Sequence, residues 1–237
     1  MTTPLANAIL SQLSEAELAE LGTYLQLVHL RKGQLLHGPG QRSAHYYFPI
    51  TSTVELAIDL EDGKGGATAV INMSSLYPLH LLGEVHSQQR ATVRKAGLCY
   101  RIPAVAVHRL LRHSPRLLWI LLQESVQLFE QAGQESVCMR NHSVEQITAK
   151  LILLSLDDGH GDTLELTHQE IANALGTRRE GVSLTLQKFR TQQLLHSERG
   201  RIQVLDRAGL ERVACACYQT LRQARQSPPR LAQALTP

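Results

Sequence analysis

The sequence predicts an α+β chain of three successive parts: a jelly roll of short strands, one long helix, and a helix-turn-helix ending in a small β-hairpin. Three observations carry that prediction. Short period-two apolar runs broken by Gly-containing turns fill residues 25–102. A stretch without proline, Arg116 to Arg140, has more apolar residues than one helix face can use. Two helical patterns then follow at residues 167–195, separated by a turn at Gly176.

Composition sets the bounds. The 237 residues are enough for two modest domains, and 43% hydrophobic residues are enough for packed cores. A net charge of +3 is too mild to prove a nucleic-acid partner. Its distribution says more. Between His168 and Arg201 stand Arg178, Arg179, Lys188, Arg190, Arg199 and Arg201 against Glu170, Glu180 and Glu198. The start, MTTPLANAIL, lacks the basic region and long apolar core of a signal peptide. The longest apolar run, Leu117 to Leu122, is far short of a membrane span. Four scattered cysteines make no disulfide framework. A cytoplasmic protein with reduced thiols, not associated with a membrane, is expected.

Residues 4–22 read as helix, with a capping box from Ser14 to Glu17. Extended runs follow around Leu25, Leu35, Tyr46 to Ile50, Thr53 to Leu60, Ala67 to Asn72, Arg90 to Lys95 and Leu98 to Ile102. Gly38-Pro39-Gly40 and the Asp62 to Gly66 stretch supply turns. A short helix spans Ala104 to Arg112, and Pro115 opens the long one at its favoured first position. Leu117, Leu118, Leu121, Leu122, Val126, Leu128 and Phe129 are apolar on two faces. Either the helix is wholly buried, or one face covers the roll and the other pairs with a second copy, as in a coiled coil. A new helix runs from Ser143 to Leu156, and one more from Asp206 to Gln226.

The helix-turn-helix is the most informative part. Thr167 and Glu170 form a capping box, Ile171, Ala172 and Leu175 share a face, and Gly176 can turn left-handed without a Cβ clash. Thr177 and Glu180 read as a second capping box. Val182, Leu186 and Phe189 are the buried stripe of the next helix, leaving Arg178, Arg179, Glu180, Ser183 and Gln187 on the open side. An Arg there can donate two hydrogen bonds to a guanine edge. An ordinary helical hairpin is the competing reading. Gly200, between two short extended runs, then makes a hairpin wing with Arg199 and Arg201 at its tip, where a phosphate backbone would lie.

These residues, TxQEIAxxLGTxRExVSxxLxxF followed by RGRIxVLDxxGL, resemble the winged helix of the Crp/Fnr superfamily of bacterial transcription regulators. The rest of the chain agrees with that family in order. It looks like a branch of stand-alone regulators marked by Tyr47-Phe48-Pro49, by His142 to Gln146, and by Arg199 to Glu211 followed by Cys215-Ala216-Cys217-Tyr218. The resemblance implies a double-stranded β-helix roll of the cyclic-nucleotide-binding type over residues 1–113, a dimerisation helix at 114–141 with Leu121, Leu128 and Gly133 at the seam, and a winged helix-turn-helix at 142–237. It implies a homodimer on a palindromic DNA site, with RNA polymerase as a candidate further partner. Thr167, His168, Gln169, Thr177, Arg178, Arg179, Glu180, Ser183, Gln187, Arg199 and Arg201 form the candidate DNA-binding set. Arg179 and Glu180 match the base-reading Arg-Glu pair of the cyclic-AMP-responsive regulator, whose later Arg is replaced by Leu184.

In that family a Gly-Glu pair and an Arg hold the nucleotide. Gly83-Glu84 and Arg90-Ala91-Thr92 resemble those ends. Only five residues, Val85 to Gln89, separate Glu84 from Arg90, too few for the turn that would hold a phosphate. Glu84 and Arg90 therefore read as a structural pair, and independence from cyclic AMP is expected; a roll that still responds to a cyclic nucleotide or other small ligand is the alternative. No cofactor or metal is expected. No cysteine precedes Cys99, Cys215 and Cys217 two apart on one helix would point to different sides, and no histidine pair has metal-ligand spacing. Cys138 and His142, four apart, could share a face, which leaves a weaker redox or metal reading beside that of packed thiols. No nucleophile, base and orienting acid stand together, so no catalysis is expected.

Overall fold

Alternating inward side chains close the N-terminal part in the computed structural model of the chain, which describes residues 4–61, 65–79, 87–157 and 161–226. After two short 3-10 turns come α1 (Glu15–Gly22), β1 (Gln26–Leu30), β2 (Leu35–His37), β3 (His45–Pro49), β4 (Thr53–Asp59), β5 (Gly65–Ile71), β6 (Arg90–Lys95), β7 (Gly97–Pro103) and α2 (Ala104–Leu111). Residues 4–22 are thus not one helix. Asn7 interrupts it: its buried side chain donates to the carbonyls of Pro49 (2.9 Å) and Ser75 (3.0 Å) and accepts from the Ile9 amide. An Asn side chain that serves the backbone in this way competes with helix. The Ser14 capping box is present.

The strands form two antiparallel sheets, ordered β1-β7-β3 and β2-β6-β4-β5. Phe48 faces Tyr100 and Tyr46 faces Ile102 across one sheet; Val54 faces Val93 across the other. One core gathers Tyr46, Phe48, Ile102, Leu110, Leu117, Ile120 and Leu121, and a second gathers Leu30, Val54, Leu56, Ile71, Ala91, Val93 and Cys99. This is the jelly-roll half of an α+β fold.

The rest comprises α3 (Pro115–Asn141), α4 (Val144–Asp157), β8 (Thr163–Glu165), α5 (His168–Ala174), α6 (Arg179–Thr191), β9 (Leu195–Glu198), β10 (Arg201–Val204), α7 (Arg207–Val213) and α8 (Cys217–Gln226). Two compact units result. One takes the chain up to Asp59 and Thr68–Glu130; the other takes Leu60–Ala67 and Gln131–Gln226. The division falls inside α3, earlier than residue 141, because Cys138 belongs to the C-terminal core of Ile147, Leu153, Ile171, Val182, Phe189, Ile202 and Leu210. No described helix is long and apolar enough to cross a membrane.

Two further expectations need correction. The C-terminal helix is not continuous: Ala214 is extended (φ −61°, ψ 149°), and a new helix starts at Cys217. Cys215 and Cys217 are both buried. Two residues apart on one helix they would lie about 200° apart and could not both face the core; the break lets them. The second correction concerns Leu121, assigned to a dimer seam. It is 1% exposed inside the core of its own roll.

Candidate nucleic-acid interface

Local chemistry holds the helix-turn-helix in shape. Thr167 caps α5: its hydroxyl accepts from the Glu170 amide (3.1 Å), and the Glu170 carboxylate accepts from the Thr167 amide (2.7 Å). Gly176 adopts φ +56°, a conformation that costs side-chain-bearing residues a Cβ clash. The second capping box does not form. The turn uses Thr177 as well, so α6 is capped by Arg178, with no side-chain cap bond. The first turn of α6 therefore keeps its amides free of a protein side-chain cap, beside Arg178, Arg179 and Glu180, all exposed. The side chains of these three make no hydrogen bond or ion pair among the described residues. Val182, Leu186 and Phe189 are buried as expected.

The other candidates divide by environment. Thr167, Gln169, Gln187, Arg199 and Arg201 are exposed, and Gln169 donates to Asn173 on its own helix (2.7 Å). Thr177 is half-buried in the turn. His168 Nδ1 and the Ser183 hydroxyl lie 2.9 Å apart, and both residues are half-buried, so this pair ties α5 to α6 rather than standing free for a base. Lys188, counted in the basic excess, is engaged by the Glu145 carboxylate at 2.6 Å. Leu184 is 67% exposed on the same helix; its place at i+4 from Glu180, on the open side, was the signal for it. Ser143 and Gln146 cap α4 reciprocally (3.0 and 3.3 Å), a Ser-x-x-Gln box legible in the sequence but missed.

The wing is a tight hairpin. Arg199 (φ +46°) and Gly200 (φ +80°) are its two loop residues, with the positive φ values a type I′ turn requires. A Cβ on Gly200 would lie 3.2 Å from Thr167 Cγ2, so the tip sits beside the start of α5. The sheet has a third strand, β8, in the order β8-β10-β9.

On the roll, Gly83 and Glu84 lie outside the described residues, so the expected Glu84–Arg90 pair cannot be placed. Arg90 has another partner: its Nε and Nη2 donate to the Asp59 carboxylate at 2.8 and 3.0 Å, and Nη1 donates to Thr92 Oγ1 at 2.9 Å. That hydrogen-bonded guanidinium holds the Asp59 carboxyl below its ordinary range. Ala91 is buried in the core.

A β-roll joined to a winged helix-turn-helix with an unpaired Arg-Arg-Glu turn defines the class: a DNA-binding regulator. Residues 146–213 match the Crp-like helix-turn-helix domain family. The chain is 24% identical over 217 residues to the nitrogen fixation regulation protein FixK of Bradyrhizobium diazoefficiens, covering 89% of this chain and 91% of that one. It is 25% identical over 196 residues to the global nitrogen regulator of Synechococcus elongatus, covering 78% and 88%. Among solved structures, a transcriptional regulator of the Crp/Fnr family from Eubacterium rectale superposes with TM-score 0.72 at 19% identity, over 88% of this chain and 98% of that one. FixK2 from Bradyrhizobium japonicum gives 0.67 at 17% identity, over 81% and 98%. Residues 146–213 are thus a Crp-like helix-turn-helix domain, and the chain as a whole is similar to regulators of the Crp/Fnr type.

Proposed function

We propose that the chain regulates transcription as a homodimer on a two-fold DNA site, with α6 in the major groove, and that it does so without cyclic AMP. The free Arg178-Arg179-Glu180 turn carries the reading, because two guanidiniums and a carboxylate at the start of an exposed helix suit guanine and cytosine edges. Exposed Arg199 and Arg201 on the wing suit adjacent phosphates.

The dimer rests on α3. Leu118, Leu122, Val126 and Phe129 are 44%, 47%, 60% and 77% exposed and recur every three to four residues; Gly133 and Val137 continue the spacing. An exposed apolar stripe along one side of a long helix suits pairing with the same helix of a second copy. Leu128 packs partly against the roll and Leu121 wholly, so neither belongs to it. Independence from cyclic AMP is supported by Arg90, whose guanidinium is already occupied by Asp59.

Selection of genomic DNA fragments by the purified full-length protein tests the reading. Enrichment of inverted half-sites whose centres lie about 34 Å apart, one helical turn, is expected. Recovery of fragments without a shared sequence, or of single half-sites, overturns it. Where inverted half-sites are enriched, RNA polymerase would be the further partner at the promoters that carry them.

A further inference from the structure

Three cysteines and a histidine from distant parts of the sequence meet in the C-terminal unit. The Sγ atoms of Cys138, Cys215 and Cys217 and a ring nitrogen of His142 all lie within 4.8 Å of one another. Cys138 Sγ is 3.5 Å from Cys215 Sγ, and Cys217 Sγ is 3.8 Å from His142 Nδ1. All three cysteines are buried, and His142 is half-buried.

We propose that Cys138, His142, Cys215 and Cys217 bind one zinc ion as a tetrahedral Cys3His site. With Zn–S near 2.3 Å and Zn–N near 2.0–2.1 Å, a tetrahedron spaces sulfurs about 3.8 Å apart and sulfur from nitrogen about 3.6 Å. The Cys138–Cys215 and Cys217–His142 separations differ from these by a few tenths of an ångström, and the remaining pairs, all within 4.8 Å, need to close by about 1 Å at most. Four protein ligands and no open position make the site structural rather than catalytic. Two local devices supply the ligands. The chain stays helical past Cys138, with the His142 amide bonded to the Cys138 carbonyl at 3.0 Å, so both residues sit on one face a turn apart. The break between α7 and α8 turns Cys215 and Cys217 to the same side.

The surroundings suit a metal thiolate. Lys150 Nζ donates to Cys138 Sγ at 3.3 Å, and Gln134 Nε2 donates to Cys217 Sγ at 3.1 Å. Donors to ligand sulfurs are the outer shell that orients and tunes such a site. On binding, each thiol releases its proton, so three thiolates and a divalent ion leave one net negative charge. Lys150, 2% exposed and paired with Glu135, puts a buried cation beside it.

Two other chemistries fit less well. A disulfide has S–S near 2.05 Å; joining Cys138 to Cys215 would use two of the sulfurs and leave Cys217 and His142 unaccounted for. An iron–sulfur cluster spreads its four ligands over two or more irons, whereas these four lie close enough to surround one ion.

The test uses the full-length chain, produced without a histidine tag and kept reduced. One zinc per chain by elemental analysis is expected. Replacement by cobalt should give the intense visible bands of a tetrahedral thiolate complex. Cys217→Ser and His142→Ala should each abolish stoichiometric metal. Lys150→Met, which keeps all four ligands, should weaken zinc affinity about 10–100-fold. A chelator should lower the thermal midpoint of the wild type and leave that of Cys217→Ser unmoved. The wild-type cobalt spectrum and zinc content decide the matter even where a variant fails to fold. A reduced wild-type chain that takes up no zinc, an octahedral cobalt spectrum, iron with acid-labile sulfide, or a Cys138–Cys215 disulfide in place of metal would each overturn the assignment.

Discussion

Arg179 is exposed in the first turn of α6 with no side-chain partner among the described residues, while Lys188 on the same helix is held by Glu145. Only the first is free for a base. Arg179→Ala should weaken binding to the selected site by about 1–3 kcal/mol and relax preference at one position of each half-site, measured by titration against single-base variants. Equal weakening on every sequence would make it a phosphate contact. Glu124 is a different case. It is 4% exposed and accepts from the Ser75 hydroxyl, and burial raises its carboxyl above the ordinary range despite that hydrogen bond. A carboxyl raised in the folded state favours folding below its unfolded value, near 4.5, and loses that contribution as pH rises through the folded value. Glu124→Gln should therefore stabilise the roll at pH 7, read as a rise in thermal midpoint. Its gain in thermal midpoint should vanish below about pH 4.5. A gain that persists in acid would assign the effect to packing.

At the level of elements, α3 decides the assembly. Its period promised two apolar faces, and the structure sorts them: Leu117, Ile120 and Leu121 go into the roll, while Leu122, Val126 and Phe129 stay out. The paired change Val126→Asp and Phe129→Asp should leave a folded monomer by light scattering, with loss of DNA selectivity. A dimer that survives it would move the seam elsewhere. Leu121→Asp should instead unfold the roll, since an uncompensated buried charge costs about 3–5 kcal/mol. Sorting of this kind was out of reach from the sequence, because adjacent leucines are alike until the roll selects one of them. The Thr167 cap and the Gly200 hairpin were legible because cap and turn geometry depend on residues three or fewer apart. The failed Thr177 cap has the same local signature, and the turn at Gly176 shifted the helix start by one residue.

For the whole molecule, the question is whether the roll answers to a ligand. Cyclic AMP at millimolar concentration should leave the thermal midpoint and the DNA affinity unchanged. A ligand that binds only the folded state raises stability by RT ln(1 + [L]/Kd), so a clear rise would overturn the independence from cyclic AMP.

By itself the sequence determined most of the order of strands and helices, the Crp-like helix-turn-helix, and the exposed Arg-Arg-Glu turn. Those rest on periodicity, caps and turns, which act within a few residues. Tertiary structure alone decided which face of α3 is covered, that Arg90 is held by Asp59 from 31 residues away, and that Cys138 meets Cys215 from 77 residues away. The reading of Cys215 and Cys217 on opposite sides of one helix followed the local pattern correctly and still failed. Burying both thiols required the helix to break at Ala214, and only the packing of the C-terminal core could impose that break.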